Sequence, residues 1–182
     1  MVHAFADRPQ RVRSFAWIAA AALILVPLFA MKIADPAAWE LADLPFAFIM
    51  IAAVGLAFEL ALRVPARFAY RFGAAIALGT AFLLIWGNLA VGFAGSEENR
   101  INIIFFAVPA LALAGGLLGG FRPGGLAAAM AGAATAQLLA GLIALAYGYF
   151  TGPLTVAFTG LWLASSLTFL RARTATAARN EG

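Results

Sequence analysis

Long apolar runs separated by short polar clusters order this chain from end to end. Six stand out: Ser14–Met31, Leu44–Leu62, Phe68–Ala94, Ile101–Phe121, Gly124–Phe150 and Pro153–Leu170. An apolar run of about 18 or more residues with few charges reads as a membrane span. At about 1.5 Å per residue the shortest run reaches roughly 27 Å, enough to cross the hydrocarbon core. The third and fifth runs are longer and are expected to tilt or protrude. The pattern predicts an all-α fold, a polytopic transmembrane bundle of six spans. Residues 1–13 form a basic N-terminal tail, 14–170 the bundle, and 171–182 a basic C-terminal tail ending as frayed helix or disorder at the lipid surface. A cleaved signal peptide is the alternative for the first run. Its basic flank fits, but the apolar region is long and no clean Ala-x-Ala site follows, so it is expected to be retained.

The charges give the bundle a direction. Arg8, Arg11, Arg13, Arg63, Arg67, Arg71, Arg122, Arg171, Arg173 and Arg179 fall on one side of a six-span arrangement, and only Lys32 and Arg100 on the other. Asp35, Glu40, Asp43, Glu97 and Glu98 share the sparsely basic side. Cations collect on the cytoplasmic side of short loops, so both termini are expected in the cytoplasm.

Composition narrows the chemistry. Apolar residues make up 64% of the chain and charged ones 11%, too little polar surface to coat a soluble domain of this size. There is no cysteine, which excludes disulfides, thiolate metal sites, iron–sulfur clusters and cysteine nucleophiles. The single histidine, His3, lies in the N-terminal tail, so histidine-ligated haem, a zinc site and a histidine base are not expected in the membrane. The net charge of +4 is accounted for by topology and does not call for nucleic acid. No cofactor and no enzymatic activity are expected, because nucleotide, zincin and serine-hydrolase motifs are all missing from the sequence.

Between helices in lipid, small residues permit close approach. The fourth run carries Gly115-x-x-x-Gly119 and Gly116-x-x-x-Gly120, and the fifth Gly132, Ala136 and Ala140, which predicts a tight antiparallel pair joined by Phe121–Gly125. Pairing with a second copy is the alternative use of those faces. Pro27 and Pro109 are expected to kink the first and fourth helices.

A few polar residues stand against this background. Glu59 is the one acid inside an apolar run. It lies one turn before Arg63 and reads as half of an ion pair with Arg63 or Arg67, with a proton or cation site as the alternative. Asn88 and Gln137 are amides in hydrocarbon, expected to join helices by hydrogen bonds, or else to line a pocket. On the outer side, Ser96, Glu97, Glu98, Asn99 and Asn102 form a polar turn, and Trp39, Glu40 and Asp43 open the second run. Asp43 suits a helix N-cap. Four carboxylates with neighbouring amides offer oxygen ligands to a hard cation, although the spacing matches no calcium loop and solubility alone also places acids there. Trp17, Trp39, Trp86, Tyr147 and Tyr149 sit near run ends, as in an aromatic belt.

Two stretches carry a resemblance. Trp39, Asp43, Gly55, Glu59 and Leu60 hold one pattern; Trp86–Gly92 followed by Gly95–Asn99 holds the other. With Phe121-Arg122-Pro123 and Gln137, they resemble an uncharacterised family of small bacterial multi-pass inner-membrane proteins. The family's outer turn often reads Gly-Ser-Glu-Asp-Asn-Pro, from which Glu98 and Arg100 depart. The resemblance implies a bacterial inner membrane and brings no activity or site residues. Two functions remain open. One is an accessory or assembly subunit that works by association with the lipid bilayer and other membrane subunits or a second copy. The other is a small solute or ion transporter or channel, with a polar path formed by Asn88, Gln137, Ser165, Ser166 and the outer acids.

Overall fold

The computed structural model describes Phe48, Ile49, residues 52–57, Glu59 and residues 68–180, with side-chain surroundings through Thr174. The chain divides into two compact units, Met1–Glu59 and Leu60–Gly182. In the first unit the described residues are all helical, as the second apolar run predicts, and Glu59 is half-buried. The first apolar run, Trp39, Glu40 and Asp43 lie outside the described residues.

Among its described residues the second unit has four helices: α1 (Phe68–Val91), α2 (Ile103–Leu118), α3 (Pro123–Ala146) and α4 (Gly152–Asn180). A single 3₁₀ turn, Arg100–Asn102, leads into α2. No strand occurs among the described residues. Among the described residues four segments are long and apolar enough to cross a membrane: Phe68–Val91, Arg100–Leu118, Pro123–Ala146 and Gly152–Thr174. Large apolar side chains such as Leu83, Leu113, Leu139 and Leu163 are exposed along each of them, which only a hydrocarbon solvent tolerates. The chain is a helical integral membrane protein.

The first three of these helices stop where the backbone turns left-handed. Gly92 (φ 65°) ends α1, Gly120 and Phe121 (φ 58° and 54°) follow α2, and Gly148 (φ 86°) follows α3. At α3 the Tyr149 amide reaches back to the Ala144 carbonyl at 2.9 Å, a glycine-centred cap. Pro123 opens α3 at its first turn, where its missing N–H costs nothing. α4 continues without a break to Asn180, carrying the arginines of the expected frayed tail on its last turns. Arg173 packs beside Gly124, and Ala172 is buried, so this end of α4 is tied to the start of α3.

α4 lies against both α1 and α3, and α2 against α3. Adjacent serines clamp α4 in two directions. Ser165 Oγ donates to the Gly73 carbonyl of α1 at 2.9 Å, and Ser166 Oγ to the Ala127 carbonyl of α3 at 2.8 Å. Tyr70 stacks edge-on against Phe169 and donates its hydroxyl to the Phe121 carbonyl at 3.0 Å. The α2–α3 pair is tight, as the small residues predict, but its register differs in part. A Cβ on Gly119 would lie 2.7 Å from Gly125 Cα, and one on Gly115 would lie 2.8 Å from Ala129 Cβ. Gly120 belongs to the turn, and Gly132 faces outward with nothing near it. Gly125 and Ala129 follow one four-residue row on α3 whose next member is the buried Ala133, and Gly132 lies about 100° round the axis from Ala133.

Candidate functional site

Two groups of polar residues meet in the second unit, at different depths. The first is the turn from Gly92 to Asn102. Asn88 lies one turn before the end of α1, and its amide is used at both ends. Its Nδ2 donates to the Asn102 carbonyl at 2.8 Å, and its Oδ1 accepts the Phe93 amide at 3.2 Å. Asn102 answers from the start of α2. Its Oδ1 accepts the Ala94 amide at 2.9 Å, its Nδ2 donates to the Ser96 carbonyl at 2.6 Å, and its own amide donates to Asn99. Asn99 Oδ1 accepts the Ile101 amide at 3.0 Å and caps the 3₁₀ turn. Asn88 and Asn102 are both buried. A buried main-chain N–H or C=O of an irregular turn needs a partner, and the three asparagines supply one to the amides of Phe93, Ala94 and Ile101 and to the carbonyls of Ser96 and Asn102.

This turn joins six of the sequence-derived candidates, Asn88, Ser96, Asn99 and Asn102 with the acids Glu97 and Glu98 between them; Ser96, Glu97 and Glu98 are exposed. Among the described residues no three histidine, cysteine, aspartate or glutamate side chains converge as metal ligands would. The asparagine amides are spent on main-chain groups of the turn, and the Asn88 bond to the Asn102 carbonyl joins the end of α1 to the start of α2. Ser165 and Ser166, offered as steps in a polar path, are likewise committed to the Gly73 and Ala127 carbonyls.

The second group lies deeper. Gln137 is nine residues before the end of α3, roughly 14 Å along the helix. It is fully enclosed, and neither amide atom has a hydrogen-bond partner. Two residues that the sequence reading did not single out as a site share this property. Trp162 is also fully enclosed with Nε1 unpartnered, and Thr159 is 7% exposed with Oγ1 unpartnered. The turn and this deeper group are not brought together: Asn88 sits only three residues from the end of α1. The sequence signal for Thr159 and Trp162 was their spacing from Thr155 and Ser166, which puts all four on one stripe of α4.

No protein-family model matches this chain, and no curated protein or solved structure shows significant similarity to it.

Proposed function

We propose that the chain is a six-span bundle of the bacterial inner membrane with both termini in the cytoplasm, acting as a non-enzymatic accessory or assembly subunit of a larger membrane complex. The observation that carries this reading is where the polar side chains go. Asn88, Asn102, Ser165 and Ser166 all bond main-chain carbonyls or amides and hold the bundle together, while the outward faces offer apolar side chains to lipid or to other helices. Orientation draws support from the ends of the four helices. Arg71, Arg122, Arg171 and Arg173 gather at the Phe121 end, and Glu97, Glu98 and Arg100 at the opposite turn. The inner-membrane placement rests on the family resemblance.

Purification from native membranes in mild detergent is expected to bring stoichiometric membrane partners along. A solitary protein at every detergent strength would overturn the subunit reading. Accessibility labelling of single-cysteine variants is expected to place Arg67 and Glu97 in opposite compartments; the same compartment for both would remove the six-span topology.

A second reading, a small solute or ion transporter or channel with a path near Asn88 and Gln137, is favoured by one observation, the unpartnered amide of Gln137. Its Asn88 end would open only by breaking the two hydrogen bonds that hold the turn. Uptake by reconstituted vesicles that is lost in Gln137→Leu would establish it over the first.

A further inference from the structure

We propose that Gln137, Thr159 and Trp162 form a binding site for one small uncharged molecule, held through its oxygen, in the interface between α3 and α4. The inference does not depend on either reading of the physiological role.

The unpaired state of these three groups is local. Thr80, Asn88, Asn102, Thr151, Thr155, Ser165 and Ser166 are also buried, and each has a hydrogen-bond partner within the protein. Thr80 bonds the carbonyl one turn back in α1, so even a lone buried hydroxyl has found a partner in this fold. The amide of Gln137, the hydroxyl of Thr159 and the indole N–H of Trp162 have none. A polar group taken out of water without a partner is costly, and three in one place call for a common explanation.

Their place follows from the register of two antiparallel helices. On α4, Thr155, Thr159, Trp162 and Ser166 follow one another at spacings of four, three and four residues and so share a stripe. Contacts with α3 fix both ends of that stripe. A Cβ on Gly141 would collide with the Thr155 side chain, and Ser166 bonds the Ala127 carbonyl. Thr159 and Trp162 therefore lie between two points of helix contact. On α3, Gln137 lies between the same two points, one turn in from Gly141, as Thr159 is one turn in from Thr155. The neighbouring buried positions of α3 are Ala133, Ala134 and Ala140, which keep the wall shallow.

The donor set defines the guest. Trp162 Nε1 can only donate, Thr159 Oγ1 can donate or accept, and Gln137 offers two donors and an acceptor. The guest must therefore accept hydrogen bonds, which an oxygen does best. No Asp, Glu, Lys, Arg or His occurs from Gly124 to Leu170, or in α1 after Arg71, or from Ile101 to Phe121. An ion would meet no counter-charge there, so the guest is neutral. Water fits this chemistry, needing two to four polar partners. So does the carbonyl or hydroxyl of a small organic solute.

Gln137→Leu, Thr159→Val and Trp162→Phe each remove the polar atoms and keep much of the shape. If the groups face nothing, deleting them relieves a penalty and the full-length protein in nanodiscs should melt higher. With a guest bound, each variant is expected to melt lower by about 2–4 °C, and Gln137→Leu with Thr159→Val to be non-additive. An independent readout uses 15N-labelled tryptophan, with the Trp162 signal assigned by its loss in Trp162→Phe. Its indole proton is expected at a hydrogen-bonded shift in the unsubstituted protein and to move upfield in Gln137→Leu. A cross-peak from that proton to the water resonance identifies the guest as water. An organic molecule found by mass spectrometry in extracts of the unsubstituted protein, and depleted in Gln137→Leu, identifies a solute. Higher melting in all three variants, or an unbonded indole signal indifferent to Gln137→Leu, overturns the proposal.

Discussion

Asn102→Ala is expected to lower the midpoint of thermal unfolding by roughly 10 °C, the largest effect of any single polar substitution in the second unit. The substitution deletes an acceptor for the Ala94 amide and a donor to the Ser96 carbonyl, while the main-chain bond from Asn88 survives. Ala94 is fully enclosed, so its amide cannot turn to solvent. A net loss of about 1 kcal/mol per bond, together with the cost of stranding a buried donor, gives about 3 kcal/mol. Interhelical bonds in membrane proteins average less, but these bonds shape an irregular turn that has no alternative partner. Glu97→Gln in the same turn is expected to change stability by no more than about 0.5 kcal/mol, because Glu97 is exposed. Circular dichroism melts of the two variants in one detergent give the comparison. A midpoint for Asn102→Ala within about 2 °C of the unsubstituted protein would show that the asparagine turn does not hold α1 to α2.

Gly119→Leu is expected to be at least as damaging, by about 3 kcal/mol or more, through a different mechanism. Gly119 and Gly125 meet backbone to backbone, and even a Cβ on either would lie 2.6–2.7 Å from the other's Cα. No rotamer can relieve a collision with main chain, so α2 and α3 must separate along the contact. Gly119 has an ordinary negative φ of −76°, so the loss arises from packing and not from backbone strain. Gly132→Leu supplies the contrast. Gly132 has open space around it, and a better helix former there is expected to leave stability unchanged or raise it by up to about 1 kcal/mol. Equal losses in the two variants would mean that Gly132 belongs to the contact face after all.

That pair of glycines also marks how far the sequence could be read. Small residues at four-residue spacing identified α2 and α3 as a tight pair, and the pair is there. Which glycines touch depends on which row of each helix meets the other, and spacing alone does not say whether the row through Gly125 or the one through Gly132 makes the contact. The described helices overlap the third to sixth apolar runs closely, because span length and hydropathy are strong signals. Their ends were less legible. Hydropathy carried α1 on to Ala94 and α3 on to Phe150, whereas the backbone stops at Val91 and Ala146. Left-handed glycines at 92 and 148 and the Asn88 amide end those helices by geometry, to which apolar averages are blind.

The site was legible in part for a similar reason. Asn88, Asn99 and Asn102 stood out as polar residues in an apolar chain, but composition does not say whether an amide faces a ligand or the main chain five or fourteen residues away. Gln137 stood out too, but its isolation from every partner, and the company of Thr159 and Trp162, appear only once α3 and α4 are set side by side. Tryptophan and threonine are common in apolar helices, and nothing in their identity distinguishes a satisfied side chain from a stranded one.

The serine clamp on α4 has a consequence for biogenesis. Ser165 bonds a carbonyl of α1 that lies 92 residues earlier in the chain. At a ribosomal rate of about 5–20 residues per second, α1 waits roughly 5–20 s after its own synthesis before that hydroxyl exists. Throughout this interval the nascent bundle lacks the helix that touches both α1 and α3. Closure of these four helices therefore waits for a helix made after α1 and α3, and a message truncated before codon 165 would leave the earlier helices without the clamp, as orphans for the membrane's proteases.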